Sequence, residues 1–480
     1  MTPATTDDLW TWTAGDLARG IAAGRIGSVE ATRSALARLD AANPAINAVV
    51  DPLHDEALAA AEAADKALRR GDDVGPLHGV PVTVKINVDY GGRPTTNGVV
   101  AFRDLTAPAD GSVVRALKAA GAVIVGRTNT PCFSMRWFTD NDLHGATLNP
   151  YDPALTPGGS SGGAAAATAA GIGAMGHGND LGGSIRYPAY CCGLVGLRPT
   201  SGLTGAYNPS QAAERPIVSQ MASVQGPLAR SVEDAALALR ALCLPDARDV
   251  WQVAAPRLRG SDARRPCRVA VLESGEGCET HPSVANAIRR AARILHEAGY
   301  EIVDVPPPSL LELGEYWRLM LGAELYASLW PVVEAQGDAA IRIQTERCHG
   351  VLRDRMPTDP AGFLKLLGRR STLLREWQAF FEQAPLLLTA TSWARPHPVG
   401  ADVDPETDYE AFFRSQVPAA APPIIGLPGL AMPMGIEDGV PTGVQLLSAR
   451  FGEPLLLAAG AALERAQGPF APVDPLGPRA

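Results

Sequence analysis

The alternation of two hydrophobic periods along the chain most narrows what it can fold into. Between residues 10 and 70, Leu17, Ile21, Ile26, Val29, Leu36 and Leu39 follow a helical period, and residues 57–70 are a run of strong helix formers. Asn43 and Pro44 are expected to break these helices apart. From Leu77 the period changes. Val80, Val82, Val84 and Ile86 alternate with Pro81, Thr83, Lys85 and Asn87, the two-residue repeat of a strand. Residues 112–120 read as a helix, 122–125 as a buried strand and 164–170 as a helix of small residues. Further strands are expected at 268–272, 301–305, 386–389, 430–434 and 440–447, with helices at 284–298, across 312–381 and at 454–465. Helices and strands that alternate in this way bury their apolar faces on one another in layers, so the expected fold class is α/β. Residues 245–266 read as a boundary or a long surface connection, and no repeat of fixed period is visible.

Composition removes several function classes. The 480 residues are 46% hydrophobic and 19% charged, ample for a packed core. A net charge of −9 gives no electrostatic footprint for nucleic acid or anionic lipid. The seven cysteines form no C-x-x-C pair, which argues against a structural zinc site and a disulfide scaffold and for a reducing compartment. No secretory leader pattern is visible in the first twenty residues, and no apolar run is long enough to span a bilayer, so a cytoplasmic protein without a membrane partner is expected.

The densest chemistry lies in Thr156-Pro157-Gly158-Gly159-Ser160-Ser161-Gly162-Gly163 and in Gly178-Asn179-Asp180-Leu181-Gly182-Gly183-Ser184-Ile185-Arg186. Residues 158–162 fit G-x-S-x-G, but that nucleophile elbow needs a strand before the serine, and residues 149–157 carry three prolines. Residues 171–176 fit G-x-G-x-x-G, yet an alanine-rich helix precedes them where a dinucleotide fold needs a strand. A third reading joins the two glycine-flanked serines into one site. A serine hydroxyl needs a base. His78, His144 and His177 are nearest in sequence, and local hydrogen bonding is the expected role of each. Lys85 is the other candidate. Among Val82, Val84, Ile86 and Val88 it is either an edge-strand solubilising residue or a desolvated base.

Four motifs in order resemble the amidase signature family. They are residues 75–85 (Gly-Pro-Leu-His-Gly-Val-Pro-Val-Thr-Val-Lys), 126–129 (Gly-Arg-Thr-Asn), 157–163 and 180–186, and residues 193–200 follow the same pattern. The clear match covers about residues 75–205, and weaker similarity reaches the N-terminal helices and Gly426-Leu427-Pro428 and Pro441-Thr442-Gly443-Val444-Gln445 near the end. The resemblance implies an α/β/α sandwich with a large twisted mixed central sheet covered by helices, formed by residues 1–480 as a single domain. Residues 1–70 would be N-terminal helices, 75–205 the signature core and about 306–382 a variable helical region around the substrate pocket.

It also implies a Ser–cis-Ser–Lys triad: Ser184 as nucleophile, Ser160 as the bridge after a cis peptide bond at Gly159, and Lys85 as base. The backbone N–H groups of Leu181, Gly182, Gly183 and Ser184 would form the oxyanion hole, and glycines there would let the backbone approach the substrate. Ser161 is expected to hydrogen-bond near the bridge, and Arg186 to pair with Asp180. The implied activity is hydrolysis of a small neutral amide with an apolar or aryl part, through an acyl-serine and without a metal or cofactor. Esters or carbamates could follow the same route. An amidotransferase subunit that supplies ammonia to a partner is the main alternative, and a silent scaffold is argued against by the intact triad. Ile86, Arg127, Cys132 and Asn179 depart from the common pattern, which speaks against the tRNA-dependent amidotransferase subunit. Cys132, Met135, Trp137 and Phe138, with Tyr316, Trp317 and Trp330, are candidates for the pocket wall or for the core. The resemblance allows a homodimer, but no residue locates an interface.

Overall fold

The computed structural model describes residues 6–253, 266–357, 359–468 and 470–475. Most of the connection expected at 245–266 therefore lies outside the described residues. The strands are β1 (Val49–Pro52), β2 (Pro81–Lys85), β3 (Val123–Thr128), β4 (Met175–Asp180), β5 (Val195–Arg198), β6 (Val224–Ala229), β7 (Arg268–Val271), β8 (Glu301–Val303), β9 (Leu386–Thr389), β10 (Gly429–Glu437) and β11 (Val440–Ser448). Among the described residues they form one sheet in the order β1-β3-β2-β4-β6-β5-β10-β11-β9-β7-β8. It is mixed: β2 runs parallel to β3 and β4, while β4–β6, β5–β6, β5–β10 and β10–β11 are antiparallel.

Period-two alternation sorts the strand side chains between two helical layers. On β9, Leu386 and Leu388 join the core that helices Ser112–Ala119, Val232–Leu242, Pro282–Glu297 and Glu453–Gln467 cover, while Leu387 joins Leu313, Trp377 and Phe413 on the other side. Leu446 and Leu447 of β11 divide in the same way. Each fully buried leucine contributes about 1.5–3 kcal/mol relative to exposure. No helix among the described residues is long and apolar enough to cross a membrane.

Two local expectations fail for identifiable reasons. The helix Ser28–Ile46 continues through Pro44 and ends only at Asn47, in the left-handed region with φ 47°. Asn43 then turns the chain into β1: its side-chain oxygen accepts from the N–H groups of Ala48 and Val49, and its amide donates to the Val49 carbonyl. The helical stretch expected across 312–381 is four helices, Leu310–Glu324, Trp330–Gln336, Ala339–Leu352 and Pro360–Gln383, with a π-helical turn at Leu325–Leu329. Asp338 and Asp359 cap the last two by accepting from Ile341 N–H and Gly362 N–H.

Candidate active site

Lys85 is the last residue of β2, which lies between β3 and β4 in the interior of the sheet, so the edge-strand role is excluded. Its side chain is fully buried. The amine Nζ is 2.7 Å from Ser160 Oγ, 3.2 Å from Ser161 Oγ and 2.8 Å from Asn179 Oδ1. None of these partners is charged. Burial therefore pushes the lysine well below its ordinary pKa, and the Asp180 carboxylate opposes this only in part. A neutral amine has two N–H bonds and one lone pair. Were the amine neutral, donation to Ser161 and Asn179 would leave its lone pair for the Ser160 hydroxyl.

Ser160 sits in a loop held by Asn149, whose amide donates to the carbonyls of Thr156 and Cys191. No strand precedes it, which removes the nucleophile-elbow reading. The Gly159–Ser160 peptide bond is cis. A side chain at Gly159 would lie 2.4 Å from the Phe138 backbone nitrogen, so the loop reaches this position only with glycine. Ser161 and the buried helix Gly162–Ala169 follow directly.

The turn after β4 is organised by Asp180. Its buried carboxylate accepts from Gly183 N–H at 2.8 Å, from Arg186 Nε at 3.0 Å and from Arg186 Nη2 at 3.1 Å. Arg198 donates to the Asp180 carbonyl and lies 3.5 Å from its carboxylate. Burial alone would raise the Asp180 pKa, but Arg186 and Arg198 hold it below the usual carboxylate range. Arg186 is thus a structural partner of Asp180.

The same contacts correct the expected oxyanion hole. The Gly183 N–H is already donated to Asp180, because a buried carboxylate recruits any donor within reach. Among the described residues the N–H groups of Leu181, Gly182 and Ser184 have no protein acceptor. The carbonyls of that segment are pinned from the other side: Trp317 Nε1 donates to the Leu181 carbonyl and Trp137 Nε1 to the Gly182 carbonyl, both at 2.8 Å. The glycines serve this packing. A Cβ at Gly182 would lie 2.3 Å from the Trp317 ring, and one at Gly183 2.6 Å from the Ala419 methyl.

Ser184 lies where two chambers meet. One is walled by Met135, Trp137, Trp317, Leu321, Leu325 and Phe412. Trp137 and Trp317 stack at 5.9 Å with 22° between their planes. The other has a mixed lining, with Ser160, Asn179, Asn87, Asn97, Asn208 and Arg215 beside Val88, Phe133, Leu329 and Val333. Ser160 and Ser184 open onto the same space, and no hydrogen bond joins their hydroxyls among the described residues. Cys132 and Phe138 do not line either chamber. Cys132 is buried with Val99, Val333 and Ile341, its thiol pushed up to about 12 by burial, and Phe138 packs on Ala401 and Phe412. Tyr316 and Trp330 are packed in apolar clusters.

The three histidines have local partners. His78 meets the Ala64 carbonyl, and His144 the Thr96 hydroxyl. His177 accepts from the Lys85 N–H and contacts Gln225, and burial, with Lys85 adding to it, drives its pKa down to about 3. The departures are mostly accounted for. Arg127 is buried and donates to the Asp51 carboxylate and to the carbonyls of Pro94, Ile86 and Val88. Asn179 is the residue whose role sequence reasoning missed. The available signal was its position one before Asp180 on a strand, which turns it to the opposite face, toward Lys85.

A family model described as Amidase matches residues 30–457. An indoleacetamide hydrolase of Bradyrhizobium diazoefficiens is 43% identical over 96% of this chain and 88% of its own length. A glutamyl-tRNA(Gln) amidotransferase subunit of Chloroflexus aurantiacus is 34% identical over 93% of this chain and 94% of its own. The solved structure of a bacterial aryl acylamidase of the amidase signature enzymes superposes with a TM-score of 0.81 at 26% identity, covering 95% of this chain and 96% of that one.

Proposed function

We propose, for a chain that belongs to the amidase family and hydrolyses a carbon–nitrogen amide bond, that the bond lies in a small arylacetamide and that Ser184, Ser160 and Lys85 cleave it. The observation that carries the mechanism is the buried Lys85 amine with only neutral acceptors, 2.7 Å from Ser160 Oγ. Uncharged, it takes the Ser160 proton as Ser160 takes that of Ser184. Ser184 Oγ then attacks the amide carbon. The developing oxyanion meets the N–H groups of Leu181, Gly182 and Ser184, each worth about a hundred- to a thousand-fold in rate. The proton returns through Ser160 to the leaving nitrogen, ammonia departs, and water cleaves the acyl-serine by the reverse relay.

The aryl group is assigned to the chamber walled by Trp137, Trp317 and Phe412, where a flat apolar ring finds stacking partners. The named activity of the indoleacetamide hydrolase relative supports the same choice. The amidotransferase relatives match at lower identity, and the alternative they represent is less well supported. A cytoplasmic location belongs to the proposal, and the seven free thiols support it. The test is turnover of indole-3-acetamide by the purified chain alone. Hydrolysis that Ser184→Ala reduces by about a million-fold is expected. Activity retained in that variant, or ammonia release only with a partner protein, would reject the reading.

A further inference from the structure

The chamber on the Ser160 side of Ser184 differs chemically from the tryptophan-walled one. Asn87, Asn97, Asn208, Gln211 and Arg215 line it. Arg215 also differs from the other guanidinium groups near the site. Arg186 donates to Asp180, Arg136 pairs with Asp402, and Arg318 pairs with Glu315 and Glu410. Among the described residues no acceptor lies within hydrogen-bond reach of the Arg215 guanidinium. Asp249, Glu214 and Glu324 act on it only through longer-range attraction. Two of these carboxylates are engaged elsewhere: Glu324 accepts from Val218 N–H, Ser219 N–H and the Ser219 hydroxyl, and Asp249 from Ala206 N–H and Trp251 N–H. The half-buried cation therefore presents unused donors to a cavity of mixed lining that also reaches Ser184. A planar fork of N–H donors is matched in shape and charge by a carboxylate.

We propose that this chamber binds a leaving group that carries a carboxylate, held by Arg215, so that the enzyme also hydrolyses N-arylacetyl amino acids. The inference rests on the proposed acyl-enzyme chemistry at Ser184. The bond broken is that between the acyl carbon and the amino acid nitrogen. The nitrogen takes the relayed proton and leaves as the free amino acid. Water supplies the hydroxyl to the acyl carbon, so arylacetate and amino acid are the products and no other reactant is needed.

The experiment compares kcat/KM for N-(indole-3-acetyl)glycine with that for N-isobutyl indole-3-acetamide, in which a neutral isopropyl group stands in place of the carboxylate. The wild-type chain is expected to favour the glycine conjugate by roughly tenfold or more, as for a charge-assisted pair. Arg215→Gln should bring the ratio close to one, chiefly through KM, and Arg215→Lys should give an intermediate ratio. Taking the ratio within each variant cancels general damage to the site. A wild-type ratio at or below one, or a ratio that Arg215→Gln leaves unmoved, overturns the inference when indole-3-acetamide is still hydrolysed. If indole-3-acetamide is not hydrolysed either, the arylacetamide reading falls and the inference with it.

Discussion

Asn179 and Asp180 are neighbours on β4, and each faces different buried basic side chains. Asp180 meets Arg186 and Arg198 in a fully buried cluster where charge is balanced and the donors are used. Asn179 meets Lys85, as deeply buried, with no carboxylate in contact. The two outcomes differ because an interior ion persists only where an opposite charge touches it, and otherwise a titratable group gives up its charge. Lysine can do this, whereas a guanidinium effectively cannot. One strand thus separates a cluster of paired charges from the buried amine proposed as the base.

Of the changes that probe these two regions, Lys85→Met should have the largest effect. If the amine acts only as a base, turnover should fall by about a thousand-fold or more while the fold is kept, as read by kcat and by urea unfolding. The sign of the pH effect follows from the direction of its shift. Because the folded pKa lies below 10.5, the unfolded chain holds a proton that the folded chain lacks between the two values. The wild type should therefore gain stability as pH rises through that interval, and Lys85→Met should lose the slope. A variant that unfolds instead would mean that Lys85 is structural, like its arginine neighbours.

Breaking the other region should reverse the pattern. Asp180→Asn leaves two guanidinium groups without their carboxylate and should cost about 3–5 kcal/mol in urea unfolding. The Asp180 pKa is depressed in the folded state, so its contribution is complete above the unfolded value and fades as pH falls through the folded one. The deficit of the variant should shrink accordingly in acid. An unchanged unfolding midpoint at neutral pH would contradict the role assigned to the cluster.

Asn179→Asp makes the first region resemble the second. A carboxylate 2.8 Å from Nζ should stabilise the ammonium and move the acid limb of the kcat profile upward by about one to three pH units. A limb that stays in place would show that the titrating group is not Lys85. The smallest effect is expected from Trp317→Phe, which keeps the apolar wall but removes the indole donor to the Leu181 carbonyl. A loss of about 0.5–1.5 kcal/mol of transition-state stabilisation should appear in kcat/KM for indole-3-acetamide.

Much of this was legible in the residues. The two-residue period at Val80–Ile86 marked β2, and the four motifs in order carried the family resemblance and the candidate triad. Strands β4, β5 and β6 were not legible, since Gly176, Gly178, Gly196, Gly226 and Pro227 hide any hydrophobic repeat. The pocket was half legible: Met135 and Trp137 reach the cavity, while Cys132 and Phe138, a few positions away in the same loop, are packed into the core.

The amino-acid order by itself determined the layered α/β class and the identities of the residues available for chemistry, because side-chain type and spacing are local properties. The tertiary structure decided how strongly burial disfavours the charged form of Lys85, which N–H groups of residues 181–184 are free, and why Gly182 cannot bear a side chain. Those depend on burial and on partners as far apart in the chain as Lys85, Ser160, Asn179 and Trp317, and proximity of that kind exists only once the layers have closed.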